Sequence, residues 1–354
     1  MLPLRLRRVS GHEGRENDIL FHPPRSKPPT PETLVFFGGD VQDYEEVMQA
    51  HRDNRNYVTW SLENTARLLS EHFPTKHIVV VRPARHVHVT SIEYKSFSCY
   101  DNFVPSSNAG VPEHTPTHSA LHHLEKLLRE VGSRVKAMPV RQLCEAVVSL
   151  FSDDVQQSCS RNDSDSNGGA KCDAVKGESD DDDTQASAAV RWREGLLLAE
   201  SKVSVMGFSK GCVVLNQFIY EFHYAKTLTP WDKHMCRFIE RIQSMWWLDG
   251  GHAGGKNTWI TARSLLETLA RLDVNVYVHV SPYQVNDEGR PWIGREEKTF
   301  SSLLHRLGAK IERYVHAEGG TRYSLITHFN VLANFKQVQD SRSPDPHDVS
   351  DDEN

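Results

Sequence analysis

The sequence lacks three features that would place it in large, familiar classes of protein. None of its six cysteines forms a Cys-x-x-Cys pair, which argues against a zinc ribbon or a disulfide framework and favours a reducing compartment. Its longest apolar runs, such as His77–Val81 and Val274–Val280, are far shorter than the roughly 20 residues of a membrane-spanning helix. It has no basic stripe with interleaved aromatic residues, so nucleic acid is not expected as a partner.

The net charge of -6 comes from two acidic segments rather than from the whole chain. Residues 153–183 carry ten acidic and three basic side chains, and residues 339–354 carry six acidic and one basic. Both segments contain few apolar residues, so neither can bury enough surface to offset the entropy of ordering. We therefore predict a disordered acidic insertion over 152–187 and a disordered acidic tail over 336–354.

The first 30 residues are predicted to be an N-terminal extension. They begin MLPLRLRRVS, with arginines at positions 5, 7 and 8 and no acidic residue before Glu13. This charge bias is typical of a mitochondrial presequence. A disordered basic end is the alternative interpretation.

Between these segments, short apolar runs alternate with stretches of helical periodicity. The runs TLVFF, HIVVV, KVSVMG, SMWWL and VNVYVHV are continuous rather than alternating, which is typical of strands buried on both faces. The pattern predicts an α/β fold, with a mostly parallel sheet and helices on both faces. One such domain would comprise residues 31–151 and 188–335, interrupted by the insertion.

A Gly-x-Ser-x-Gly motif centred on Ser209 follows one of these predicted strands directly. The strand ends in Gly207, and an apolar helix begins just after Gly211. Strand, tight turn and helix in this order are the setting of a nucleophile elbow, which presents a serine at the edge of the sheet. Side chains at the two glycines would strike the neighbouring strand and helix. A tight turn with a capping serine is the alternative.

A nucleophilic serine needs an acid and a histidine, which follow it in that order in this type of fold. Asp287 follows the strand VNVYVHV, and His328 follows the last predicted strand. We predict that His328 takes the proton of Ser209 and that Asp287 orients the imidazole. Asp249, at the end of the preceding strand MWWL, is the alternative acid.

The negative charge that develops during acyl transfer needs backbone donors. The amide of Lys210, directly after the nucleophile, is one candidate. The loop after the first strand of the domain supplies the others, since Gly38 and Gly39 allow close approach of the backbone.

Several motifs together resemble a known family, and they cover most of the predicted domain. They are GDVQDY, WSLEN, FSCYDNFV, GFSKGCVVLNQ, WLDGGH, NTW, PYQV and WIG. From Thr33 to Phe335 the chain resembles the α/β-hydrolase superfamily, and more narrowly a vertebrate family that is named for a chromosome-two open reading frame and associated with mitochondria. The resemblance implies a hydrolase-like fold, a mitochondrial (matrix) address and a nucleophile at Ser209. A cytoplasmic location is the alternative.

Two functions remain open at this point. The first is a serine hydrolase that acts on a small ester, thioester or amide. The second is a catalytically inactive scaffold that binds a metabolic protein, which the Gly-Gly-Asp loop and the charged Lys210 beside the nucleophile would suit. We expect no cofactor, because the P-loop-like segment Gly250–Lys256 is followed by asparagine rather than Ser or Thr. We expect no metal, because His118 and His122 have no evident third ligand. The oligomeric state is left open.

Overall fold

The computed structural model describes residues 3–26, 30–89, 94–107, 110–139, 143, 193, 196–252, 254–316 and 324–341. The predicted insertion over 152–187 lies outside these residues. In the described part of the chain, no helix is both long and apolar enough to cross a membrane.

Eight strands of the described chain form one sheet in the order β1-β2-β4-β3-β7-β8-β9-β10. They are β1 (Leu4–Ser10), β2 (Glu16–His22), β3 (Glu32–Phe37), β4 (His77–Val81), β7 (Lys202–Phe208), β8 (Ile242–Leu248), β9 (Asn275–Val280) and β10 (Ile311–Val315). A separate antiparallel pair comprises β5 (Ala84–Val89) and β6 (Tyr94–Cys99). The six strands from β4 to β10 in the sheet pair in parallel. The predicted mostly parallel sheet is therefore confirmed.

The helices lie on both faces of this sheet. In chain order they are α1 (Glu45–Ala50), α2 (Leu62–His72), α3 (Ala120–Ala137), α4 (Cys212–Thr227), α5 (Lys233–Glu240), α6 (Arg263–Arg271), α7 (Pro282–Val285), α8 (Trp292–Arg306) and α9 (Leu325–Ser341). Alternate residues of each strand serve different faces. Val205 of β7 packs in a core with α3, α4, α6 and α8, whereas Met206 packs in a core with α2 and α9. The continuous apolar runs of the strands follow from this double coverage.

Residues 4–22 belong to the main sheet, which corrects the N-terminal extension predicted over 1–30 and the alternative of a disordered basic end. β1 and β2 form an antiparallel hairpin, and β2 pairs with β4 at the edge of the sheet. Val9, Ile19 and Phe21 are fully buried in the core. Two of the arginines pair with acids: Arg5 Nη2 lies 2.6 Å from Glu63 Oε1, and Arg8 Nε lies 2.6 Å from Glu16 Oε2. The alternation of leucine and arginine is therefore the period of an edge strand with a charged outer face.

The boundary of the predicted acidic tail also shifts. α9 continues to Ser341, so residues 336–341, which we assigned to the tail, are helical. Lys336 pairs with Asp340 one turn later, at 3.1 Å. Residues 342–354 lie outside the described part of the chain.

Candidate active site

Ser209 lies where β7 ends and α4 is about to begin. It starts a single 3₁₀ turn, Ser209–Gly211, which leads directly into Cys212. Its backbone has a φ of 54°, a left-handed conformation that costs a non-glycine residue about 1–3 kcal/mol. A strained serine in a strand-turn-helix connection is the geometry expected of a nucleophile elbow.

Three glycines allow this turn to close. A β-carbon at Gly211 would lie 2.0 Å from the carbonyl oxygen of Phe37, and one at Gly207 would lie 2.8 Å from the backbone of Cys212. A β-carbon at Gly39 would lie 2.8 Å from that of Ser209. No real side chain tolerates contacts this close, so the loop after β3 approaches Ser209 only because position 39 is glycine.

The imidazole of His328 is bonded to Asp249 rather than to Asp287. Nδ1 of His328 lies 2.7 Å from Oδ2 of Asp249, and both side chains are buried. A carboxylate only accepts hydrogen bonds, so Nδ1 carries the proton and Nε2 is left as the basic nitrogen. Asp249 also has a positive φ, of 49°, at the end of the strand next to that of Ser209.

Two further hydrogen bonds hold the Asp249 carboxylate in place, and both come from Ser281. The Ser281 amide donates to Oδ1 at 2.7 Å, and its hydroxyl donates to Oδ2 at 2.5 Å. Hydrogen bonds to an ionised carboxylate are among the strongest in proteins. Both oxygens of the carboxylate are therefore held: Oδ1 by the Ser281 amide, and Oδ2 by the Ser281 hydroxyl and the imidazole.

Asp287 has a different environment from the one we predicted. Its carboxylate accepts hydrogen bonds from Nε of Arg290 at 2.6 Å and from the amide of Gly289 at 2.8 Å. The hydrogen bond from Arg290 holds the pKa of Asp287 below its usual value. In the structure the acid bonded to His328 is therefore Asp249, the alternative, and the prediction of Asp287 is corrected. Both residues follow strands in the right chain order, and only the tertiary contact separates them.

Aromatic rings fix the plane of the imidazole. The ring of Phe208 stacks on His328 at a centroid distance of 4.5 Å, and Tyr283 lies 5.3 Å away. Ser209 and His328 line the same cavity but share no hydrogen bond in the described structure. Catalytic hydrogen bonds of this kind commonly tighten only when substrate is bound.

The loop that follows β3 is held by Gln42. The Gly39 amide donates to Oε1 of Gln42 at 3.0 Å, while Nε2 of Gln42 donates to the Trp60 carbonyl and to Thr65 Oγ1. The Gly38 carbonyl accepts a hydrogen bond of 2.9 Å from the Tyr100 hydroxyl. The amide of Gly39, a predicted oxyanion donor, is therefore already engaged. The lack of a side chain at position 39 instead allows the loop to approach Ser209 closely.

Lys210 is buried beside Ser209, with a side chain only 5% exposed. Its Nζ lies 3.6 Å from Oδ1 of Asp40, on the loop that follows β3. A buried ammonium requires such a partner. The charged side chain of Lys210, unusual in the sequence, thus forms an ion pair between the turn at Ser209 and the loop that follows β3.

The cavity above Ser209 has a volume of about 250 Å³. Drug-sized ligands usually occupy about 300–1,000 Å³, so this cavity is small. Its lining combines polar residues with apolar ones: Gly39, Asp40, Val41, Phe208, Ser209, Gly251, His252, Tyr283, Gln284, Arg290, Leu325, His328 and Phe329.

Gly251 and His252 of the P-loop-like segment line this cavity, and the three residues just after the segment bind a carboxylate of the protein itself. The amides of Asn257, Thr258 and Trp259 donate to the Glu296 carboxylate of α8 at 2.9, 2.7 and 3.2 Å. His252 accepts from the Gly254 amide through Nδ1, and burial lowers its pKa. His252 therefore lies on the cavity wall as a neutral side chain, because its Nδ1 accepts a hydrogen bond and burial disfavours its charged form.

Among the described residues, no group of three or more His, Cys, Asp or Glu side chains is placed to hold a metal ion. The two histidines with metal-like spacing have protein partners. His118 bonds to the Asp101 carbonyl at 2.8 Å, and His122 lies 3.7 Å from Asp232.

Sequence reasoning missed four residues that shape the site: Gln42, Ser281, Arg290 and Glu296. Each is a polar residue in a loop or a helix, and nothing in its immediate sequence distinguishes it from a solvated residue. Chain order alone could not find them, because their partners are 3 to 39 positions away.

Comparison with known proteins places the chain in a family. A family model described as C2orf69 matches residues 5–310. A relative named mitochondrial protein C2orf69 homolog, from Mus musculus, is 39% identical over 90% of this chain and 82% of its own length. The Homo sapiens relative, mitochondrial protein C2orf69, is 37% identical over 82% of this chain and 71% of its own length.

Solved structures with a similar chain path include two esterases. Esterase Est22 matches with a TM-score of 0.42 and 11% identity, over 95% of this chain and 80% of its own. Esterase PE8 matches with a TM-score of 0.36 and 13% identity, over 94% of this chain and 99% of its own. The family model and the identity to these relatives show that this α/β-hydrolase-like chain belongs to the C2orf69 family.

Proposed function

We propose that this protein is a serine hydrolase that acts on a small ester, thioester or amide. The single observation that supports this most strongly is the buried pair of Asp249 and His328, which lines one cavity with a serine held in a strained elbow. A buried aspartate bonded to Nδ1 of a histidine beside such a serine has the roles of a catalytic triad.

The reaction follows from this geometry. His328 Nε2 removes the proton of Ser209 Oγ as the oxygen attacks the acyl carbonyl, and Asp249 stabilises the imidazolium. The Lys210 amide donates to the oxyanion, aided by the N-terminus of α4. His328 then gives its proton to the leaving group. Water, activated by the same imidazole, cleaves the acyl-enzyme and restores Ser209.

The names of the relatives extend the proposal to a location. The two relatives described above are named mitochondrial proteins, and they are similar over most of this chain. These names support a mitochondrial location for the hydrolase; they do not specify the matrix, which is a further part of the proposal.

The test is labelling with a fluorophosphonate probe, which reacts only with activated serines. Wild type is expected to label, Ser209→Ala is expected not to, and Ser302→Ala is the control because Ser302 lies on the surface of α8 and bonds within its own helix. Labelling that persists in Ser209→Ala would refute the assignment. A folded wild type that does not label would favour the alternative, a hydrolase-like scaffold for a metabolic protein, which the engaged amide of Gly39 would also suit.

A further inference from the structure

Arg290 stands at the cavity on the short turn that joins α7 to α8. Its amide donates to the Asp287 carbonyl at 3.0 Å, and its Nε donates to the Asp287 carboxylate at 2.6 Å. The Gly289 amide holds the other oxygen of that carboxylate. Asp287 therefore fixes both the turn and the direction of the guanidinium.

The terminal nitrogens of Arg290 have no such partner. Within the described ranges, no carboxylate, carbonyl or hydroxyl accepts a hydrogen bond from Nη1 or Nη2, and the side chain is 30% exposed. Arg290 lines the same cavity as Ser209 and His328. An arginine fixed at Nε presents its two outer nitrogens as a fork, whose spacing matches the two oxygens of a carboxylate.

The rest of the lining indicates where an anion can lie. Asp40 occupies the wall beside Lys210 and would repel a second negative charge, although the ammonium partly offsets it. Phe208, Leu325 and Phe329 are apolar and offer no donor. Of the charged side chains that line the cavity, Asp40 and Arg290, only Arg290 is a cation.

We propose that Arg290 binds a carboxylate on the substrate, so that the hydrolase acts on small acyl compounds that carry one negative charge. This rests on the proposed function of Ser209. A carboxylate fits better than a phosphate dianion, because a single guanidinium, partly neutralised by Asp287, supplies less than one full charge. The small volume of the cavity, about 250 Å³, suits a short dicarboxylic monoester or thioester. Asp287 is then a positioning residue, which acts through Arg290.

The test compares two esters that differ only in this charge, mono-p-nitrophenyl glutarate and its methyl ester. The measured quantity is the ratio of kcat/KM for the free acid to that for the methyl ester. Wild type is expected to favour the free acid at least tenfold, and Arg290→Gln is expected to lower the ratio at least tenfold. Arg290→Lys restores the charge but not the fork, and should recover part of the ratio.

The control removes the same charge elsewhere. Arg306 is the last residue of α8, roughly 21 Å along the helix from its start at about 1.5 Å per residue. Arg306→Gln is expected to leave the ratio within twofold of wild type. An equal drop in both variants would mean a general electrostatic effect and would overturn the proposal, as would a wild type with no preference for the free acid.

Binding separates this proposal from the proposed function. The dissociation constants of both esters are measured with Ser209→Ala and with Ser209→Ala combined with Arg290→Gln. A wild type that labels with fluorophosphonate but shows no preference refutes the Arg290 proposal alone. A wild type that neither labels nor turns over refutes the hydrolase. In that case, tighter binding of the free acid that disappears with Arg290→Gln would still support the carboxylate site, and equal binding would refute it.

Discussion

Replacing Asp249 by asparagine tests the assignment of the acid most directly. Oδ2 of Asp249 lies 2.7 Å from His328 Nδ1, and the Ser281 amide holds Oδ1. The amide oxygen of an asparagine would keep the bond to that backbone N–H, so its NH₂ group would face Nδ1. The imidazole would then carry its proton on Nε2 and could not accept one from Ser209.

The magnitude follows from the charge that is lost. An imidazolium and a carboxylate about 4 Å apart attract each other by about 4 kcal/mol at an effective dielectric constant of about 20. At about 1.4 kcal/mol per tenfold change, this corresponds to about a thousandfold in rate. The wrong tautomer adds to the loss, and removing the aspartate of a catalytic triad in this way lowers kcat by about 10⁴-fold.

The assay is the second-order rate constant for labelling by a fluorophosphonate, together with the unfolding midpoint of each variant. Asp249→Asn is expected to label about 10³–10⁴-fold more slowly than wild type. Asp287→Asn should slow labelling far less, by under about tenfold, because Asp287 reaches the cavity only through Arg290. A folded Asp249→Asn that labels within tenfold of wild type would refute the reasoning, and so would a thousandfold loss in Asp287→Asn alone.

Three further predictions concern the elbow, a buried histidine and the anchor of the acid. Gly211→Ala should lower the free energy of unfolding, measured by urea titration, by about 3 kcal/mol or more, because its β-carbon would lie 2.0 Å from the Phe37 oxygen. The control is Gly255→Ala, which has open space around it and should change the free energy of unfolding by no more than about 0.5 kcal/mol. Burial lowers the pKa of His123 to about 3, so from pH 6.5 to 4.5 the unfolded chain binds a proton that the folded chain does not, and stability falls by about 1.4 kcal/mol per pH unit at most. His123→Gln should make the dependence on pH of the free energy of unfolding, measured by urea titration, shallower by up to that amount, and an unchanged slope would contradict this. Ser281→Ala removes the hydroxyl donor to Asp249 but keeps the amide, so labelling should slow about tenfold and Ser281→Thr should recover part of it; a change within twofold would show that the hydroxyl has no role.

The parts of the fold that could be predicted are those in which local pattern and tertiary environment agree. Strands such as β7 are buried on both faces, so their composition alone distinguishes them. The turn around Ser209 combines a strand, two glycines and a helix within ten residues, and this local order is enough to predict the turn, although not the close contact with Gly39. The N-terminal hairpin was missed because edge strands alternate charged and apolar residues. In MLPLRLRRVS this alternation coincides with the charge bias of a presequence.

The acid could not be chosen for a different reason. Asp249 and Asp287 both follow strands of the sheet, and both lie between Ser209 and His328 in the chain. What separates them is the position of α9, which brings His328 to the end of β8. That position depends on packing of Phe329 and Phe335 against the second face of the sheet, which no local pattern records. The engagement of Gly39 by Gln42 is likewise visible only in three dimensions.

The left-handed backbone at Ser209 and at Asp249 has an evolutionary consequence. Both residues end neighbouring parallel strands with a φ near 50°, where glycine would relieve strain of about 1 kcal/mol or more at each position. Ser209→Gly should therefore be more stable than Ser209→Ala by about 1 kcal/mol, although both lack the nucleophile. A lineage that had lost the chemistry would gain stability by drifting to glycine at position 209. Glycine at position 249 would also remove the buried hydrogen bonds to Ser281 and His328, so the residue at position 209 is the one that offers a simple test, across relatives, for the loss of activity.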